Sequence, residues 1–269
     1  MTIKIALMQL KVGCSPRESL ESAYRLLDGL RGREIDVILF PEGWASIEPP
    51  QNRPDPAADA EALIERCSAL AQEFGAWILG GGIYVRRGGD LYVSCPVIDD
   101  SGNIISWQDK VHLYWTESRL FKPGVSLQPI RINGVPSGIL VCHDIAYPEA
   151  ARSLVLRGAE IIYNPSKIVE TGLEAWHLYL KVRSLENRVP VYGANIWSEP
   201  RFKGGSAAVK PFDSGEGIFI PRLSLAAPGE SVLIDEVDPS VFLRARRERL
   251  SNRVPTVYVG WSQSQGSSG

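Results

Sequence analysis

The stretch GILVCHDIAYPEAAR, residues 138–152, decides how this chain is to be read. Apolar residues run from Ile139 to Val141 into Cys142, His143 and Asp144, and Pro148 and Glu149 then open a helix. Proline suits a first helical position because its missing N–H is one that a helix start leaves unbonded anyway. A carboxylate there meets the positive end of the helix dipole. The stretch is therefore a strand giving way to a helix, with a thiol at the changeover. A nucleophile on such a bend is exposed, and the next backbone N–H faces the same space and can bind an oxyanion. The nearby helix N-terminus favours a thiolate. Side chains of a regular strand alternate faces, so Cys142 and His143 are expected to point apart rather than to form a nucleophile–base pair. On this segment alone, a buried core cysteine is the competing reading.

Outward from this point the same alternation recurs. IKIALMQL (3–10) reads as a buried strand, and Ser15-Pro16 starts a helix to about Gly29, with serine as cap. DVILFPE (36–42) is an apolar strand ended by Pro41, and EPPQNRPDPAAD (48–59) is a proline-rich loop. A helix over 57–74 stops at Gly75, and AWILGGGIYV (76–85) follows as one strand. DLYVSCPVID (90–99) and IISWQDKVHL (104–113) form a hairpin across SGN, as do IRING (130–134) and VPSGILVCHD (135–144). Helices over 148–157 and 174–188 alternate with the strands EIIYNPS (160–166) and VPVYGANIW (189–197). SAAVKPF (206–212), EGIFI (216–220) and SVLIDEV (231–237) complete the strands. Strand–helix–strand units with hairpins between them imply sheets covered by helices, an α/β layered architecture. Residues 1–260 are read as one domain and 261–269, ending in SQSQGSSG, as a disordered tail.

Composition narrows the function classes. A chain of 269 residues with a formal charge of −2 fits one large α/β domain and gives no electrostatic case for a nucleic-acid partner. The basic run RARRER (244–249) is read as a solvated or subunit-facing surface. No segment approaches the ~20 apolar residues of a membrane span. The first residues lack the basic-then-apolar pattern of a signal peptide, so a cytoplasmic location is expected. Cysteines at 14, 67, 95 and 142 and histidines at 112, 143 and 177 show neither C-x-x-C spacing nor clustering. No metal site, disulfide framework or cofactor is expected. LGGGIYV lacks both G-x-G-x-x-G and a following G-K-[ST], so its glycines are read as allowing a close backbone approach.

Two further strand ends carry charge. In ILFPEGW, Glu42 follows an apolar strand and the proline that ends it, at the carboxyl edge where α/β sheets place their sites. In WQDKVHLYWTESRLFKPG, Lys110 ends an amphipathic strand and Glu117 lies seven residues on, within an aromatic loop. A carboxylate, an ammonium and a thiol on three separate strand ends have no common packing explanation.

With these segments in order, the chain resembles the nitrilase, or carbon–nitrogen hydrolase, superfamily. Glu42 in LFPEGW, Lys110 in DKVHLYWTESRLFKPG and Cys142 in GILVCHDIAYPEAAR match its glutamate, lysine and cysteine segments. RGAEIIYNPS, VRSLENRVPVYGAN and VDPSVFLRARRERL extend the likeness over about residues 3–250. The resemblance implies a four-layer α-β-β-α sandwich and a Glu42–Lys110–Cys142 triad, with Glu117 as accessory glutamate and the His143 N–H as oxyanion donor. Family members often carry an aromatic residue where this chain has His143.

The chemistry that follows is attack by Cys142 on an amide or nitrile carbon, giving a thioester or thioimidate. Glu42 would serve as base, then acid, then base for water. A carboxylate is a weak base for a thiol of pKa ~8.5, unless burial raises the one and Lys110 lowers the other. The implied partner is a small amide or nitrile, cleaved most readily as a carboxamide. Nitrilase or N-carbamoyl hydrolysis, or a silent relative acting as a binding subunit, are the alternatives. Trp115, Tyr147, Asn164 and Lys167 are candidate pocket residues, with Trp176 and Trp197 as aromatic candidates equally suited to core or interface. The resemblance also implies a homodimer or an assembly of dimers, paired through helices beside the cysteine.

Overall fold

A computed structural model describes residues 1–258; the tail expected at 261–269 lies outside them. The chain forms two sheets, each built on a β-α-β-α-β run. The first run is β1 (Ile3–Gln9), α1 (Pro16–Asp28), β2 (Val37–Leu39), α2 (Ala60–Phe74) and β3 (Trp77–Leu79). The strands β4 (Ile83–Arg87), β5 (Asp90–Ile98) and β6 (Ile104–Asp109) follow. The second sheet begins with β7 (Ile130–Ile132), and its run is β8 (Val135–Ile139), α3 (Pro148–Leu156), β9 (Ile161–Pro165), α4 (Leu173–Asn187) and β10 (Val191–Ala194). A small ribbon of β11 (Trp197–Ser198) and β12 (Phe202–Lys203) precedes β13 (Ala207–Asp213), β14 (Phe219–Leu225), β15 (Ser231–Val237) and α5 (Leu243–Ser251).

The first sheet has the order β15-β1-β2-β3-β5-β4, with β6 also on β5; the second runs β14-β13-β10-β9-β8-β7. β1, β2 and β3 pair in parallel, as do β8, β9 and β10, and antiparallel strands flank both runs. Alternation of side chains across each strand splits the apolar residues between two faces. Ile5, Leu7, Val37, Leu39 and Leu79 of the first sheet meet Ile139, Ile161, Tyr163, Tyr192 and Ala208 of the second in a central core. Met8, Ile38 and Ile78, on the opposite face, pack under α1 and α2 through Ala23, Leu27, Leu63 and Leu70. Ile162, Val191 and Val209 pack under α3 and α4 through Leu154, Trp176 and Leu180. The layers are thus α-β-β-α. Among the described residues no helix is long and apolar enough to cross a membrane.

Local chemistry explains where elements start and stop, and corrects several expected bounds. The Ser15 side chain accepts from the Glu18 N–H to open α1, and Gly75 closes α2 at φ 57. α2 begins at Ala60 rather than 57, because residues 57–59 turn and Asp59 pairs with Arg53. AWILGGGIYV is two strands, not one. Gly81 adopts φ +73, and a Cβ there would lie 2.0 Å from the Pro41 carbonyl oxygen. The glycines break the strand so that it can pass directly beneath the Pro41–Glu42 corner. The strand expected at 216–220 starts at Phe219, since Gly215, Glu216 and Gly217 all have positive φ and make the turn. Most consequentially, the strand before Cys142 ends at Ile139, and residues 142–146 form a tight 3₁₀ turn.

Candidate active site

The carboxyl ends of the parallel strands of both sheets meet at one edge of the sandwich. Glu42 follows β2, and its N–H donates to the Ser166 carbonyl just past β9, at 3.1 Å, joining the two sheets. Lys110 follows β6, and its N–H donates to Val93 O at 2.8 Å. Its side chain is fully buried, and Nζ donates at 2.9 Å to Glu42 Oε1 and at 2.9 Å to the Glu117 carboxylate. Glu117 lies on a turn over 115–119 and accepts from the Tyr114 N–H at 2.7 Å. An ammonium with two carboxylates is satisfied, as a buried charge must be.

Cys142 has φ 46, the left-handed region in which a non-glycine residue stores on the order of 1–3 kcal/mol of strain. It does not lie on a strand, so the expected opposition of Cys142 and His143 along a pleat does not arise. Asp144 holds the bend. Its buried carboxylate accepts from Val141 N at 3.0 Å, Val111 N at 3.2 Å, His112 N at 2.7 Å and His112 Nδ1 at 2.8 Å. Three of these donors belong to the segment just after Lys110, so one side chain fixes the cysteine turn relative to the lysine. Sequence reasoning missed this role. The available signal was a carboxylate two residues past a thiol in an otherwise apolar stretch.

Asn164 also belongs to the frame rather than to the pocket. Its Nδ2 donates to Leu140 O and to Cys142 O (3.2 Å), and its Oδ1 accepts from Trp176 Nε1 and Ser166 Oγ, both at 2.8 Å. Trp176 is correspondingly buried in the core beneath α4. Tyr147 stacks on His112 with ring centroids 3.8 Å apart and places its hydroxyl 3.4 Å from His143 Nε2. Tyr147 and the His143 ring thus form an aromatic cluster with Tyr114, and neither lines the main cavity. Trp197 pairs with the cation of Lys203 on the β11–β12 ribbon.

That cavity, of about 810 Å³, is lined by Tyr84, Trp115, Glu117, Phe121, Lys167, Arg201 and other residues. Trp115, 84% exposed, stands at its rim. The cavity reaches the buried groups through two of its walls: Glu117 is bonded to Lys110, and the Lys167 N–H faces the Cys142 sulfur. Glycine at 82 makes room here, since a Cβ would lie 2.7 Å from Glu42 Cγ.

Electrostatics follow from this burial. Desolvation and the Glu42 charge hold the Cys142 thiol well above its ordinary pKa, with Lys110 acting in the opposite sense. The resting sulfur is therefore a thiol, not the preformed thiolate expected from the helix terminus alone. Burial works against the Lys110 charge, but Glu42, Cys142 and Glu117 outweigh it and hold the ammonium. Burial and Glu42 raise Glu117, against the pull of Lys110. Burial lowers His143, and it pushes Lys167 down to about 8.

Residues 4–246 match the carbon-nitrogen hydrolase family model. The chain belongs to that family. This carbon–nitrogen hydrolase is 24% identical to the omega-amidase NIT2 of Mus musculus over 262 residues, 92% of each chain. It is 27% identical over 203 residues to the 2-oxoglutaramate amidase of Bacillus subtilis, covering 73% of this chain and 78% of that one. Among solved structures, the carbon-nitrogen hydrolase from Helicobacter pylori superposes with a TM-score of 0.83 at 25% identity, covering 96% and 97% of the two chains.

Proposed function

We propose that the protein is a cysteine-dependent amidase that releases ammonia from small carboxamides. The observation that carries this reading is the fully buried Lys110 ammonium, held at 2.9 Å by both Glu42 and Glu117 and clamped beside the strained Cys142 bend through Asp144. The related proteins named as amidases support the same bond type.

In this mechanism substrate enters beside Glu117 and places its carbonyl carbon against Cys142 Sγ. Because the thiol rests protonated, Glu42 takes its proton as sulfur attacks. The oxygen of the tetrahedral adduct is held by Lys110 Nζ and the His143 N–H, donors fixed before the reaction begins. Glu42 returns the proton to the amide nitrogen, ammonia leaves, and a thioester remains on Cys142. Glu42 then takes a proton from water, hydroxide adds to the thioester, and the acid leaves as sulfur regains its proton. Glu117 spends one bond on the Tyr114 N–H and one on Lys110, and its remaining acceptor capacity faces the cavity, where an amide NH₂ can use it. A nitrile lacks that group, and a site built to pair it discriminates against the analogue without it.

The test is ammonia release over matched amide, N-carbamoyl and nitrile compounds sharing one acyl chain. Amides are expected to have the highest kcat/KM. Consistent preference for nitriles would overturn the role of Glu117, and no turnover of any class would leave the silent-relative alternative.

A further inference from the structure

A carboxamide group held by Glu117 and Lys110 occupies a small part of a cavity of about 810 Å³, a size that takes a ligand of many more atoms. Much of the remaining wall is apolar: Ile47 and Pro49 from the loop after β2, Leu120 and Phe121 from the segment after Lys110, and Val169 and Phe202 from the second half of the chain. Rings dominate it. Tyr84 packs on Phe121 with centroids 5.0 Å apart, and Phe202 carries the Lys167 ammonium and the Arg201 guanidinium, each 5.7 Å from its centroid. Both cations line the cavity too, where a second π face is a better neighbour for them than a saturated chain. Trp115 completes the wall at the rim. A lone exposed ring is ordinary, but this one is 84% exposed and has φ 45, a left-handed bend that costs on the order of 1–3 kcal/mol. The bend is braced. The Glu117 N–H donates to Tyr114 O at 2.9 Å, the Tyr114 N–H donates to the Glu117 carboxylate at 2.7 Å, and the Phe121 N–H donates to Glu117 O at 2.8 Å. Trp115 and Glu117 thus share one turn, with Cα atoms at most about 7 Å apart. The strain holds an indole beside a carboxylate of the site, where packing within the chain does not cover it.

We propose that this wall is an acyl site for an aromatic group, so that the preferred substrates are carboxamides carrying an aryl ring about two carbons from the amide, with Trp115 selecting them. The assignment of the amide end rests on the amidase reading above; the aromatic site does not. With the amide at Glu117, a two-carbon spacer brings the ring against Trp115, and the indole face removed from water supplies the selectivity.

The test compares propanamide, 3-phenylpropanamide and 3-cyclohexylpropanamide. Wild type is expected to favour 3-phenylpropanamide over propanamide in kcat/KM by at least about tenfold, as burial of one ring implies. It should also favour it several-fold over the cyclohexyl compound, which has a similar shape without the π face. Trp115→Ala should shrink the first ratio several-fold or more, chiefly through KM for 3-phenylpropanamide. Fluorescence gives a readout independent of turnover. In Cys142→Ala, 3-phenylpropanamide should shift to the blue the indole emission that Cys142→Ala/Trp115→Phe lacks. Equal use of propanamide and 3-phenylpropanamide by the wild type would overturn the acyl site and leave the amidase reading intact. Ammonia from neither, with the Trp115 shift present, would overturn the amidase reading and keep the acyl site. Preference for the cyclohexyl amide would overturn the aromatic assignment. Absence of the shift, including the case in which a second copy of the chain already covers Trp115, would overturn the site.

Discussion

Cys142 owes its place to Asp144, two residues along. Four N–H groups converge on that one buried carboxylate. Asp144→Asn turns an acceptor into a donor against them, and leaving buried donors unpaired costs about 1–3 kcal/mol. A melting temperature lowered accordingly, with kcat down at least about tenfold from a displaced thiol, is the expected outcome; wild-type kcat would show that the clamp is not needed. The buried cysteines Cys67 and Cys95 differ from Cys142 in access to a base, and burial above all pushes both thiols up to about 12. Iodoacetamide, itself a primary amide, should therefore modify Cys142 ahead of Cys14, Cys67 and Cys95. A competing amide substrate should protect Cys142 only. Peptide mapping checks both points. At this scale Glu42, Lys110 and Cys142 stood out together, through the family's three segments, because any one of them at a strand end suits a solvated or core position as well; the structure brings Lys110 against Glu42. Asn164 and Tyr147 were misplaced because the direction of a side chain near a bend depends on partners far away in sequence, such as Trp176 and His112.

The elements were legible wherever periodicity alone decides them. Both parallel runs, their crossover helices and the β5–β6 and β7–β8 hairpins lie where the apolar patterns put them. What periodicity could not convey was the break at Gly80–Gly82, because its cause lies across the sheet at Pro41 and Glu42. The same reason hides the 3₁₀ turn at Cys142, which is imposed by hydrogen bonds from a loop of the other sheet. Gly81→Ala should accordingly be among the most damaging small substitutions in the chain. It combines a positive φ with a clash against backbone, and a loss of about 2 kcal/mol or more is expected in urea unfolding. Gly32→Ala is the control, sharing a positive φ (76) but meeting nothing within 4 Å. Equal costs for the two would refute the close-approach account of Gly81.

At the scale of the whole molecule, the layers were implied by the family resemblance and follow here from the three separate apolar clusters. The outer face of α3 and α4 remains apolar, with Leu156 47%, Leu178 58% and Val182 38% exposed beside the cysteine turn. Arg183 of α4 also donates to Ile145 O and Ala146 O within that turn, so this face and the site share a support. A homodimer through these helices is expected, and Leu178→Asp with Val182→Asp should reduce the sedimentation mass to one chain; a wild-type mass of one chain at micromolar concentration would contradict it. The central claim, however, is the sulfur chemistry at the meeting of the two sheets. It is tested most directly by kcat/KM for ammonia release from one good carboxamide, wild type against Cys142→Ala, with the melting temperature of both. The account predicts a folded variant with turnover reduced by at least about 10⁴-fold, as expected when a nucleophile is removed. Turnover near wild type in that variant would contradict it.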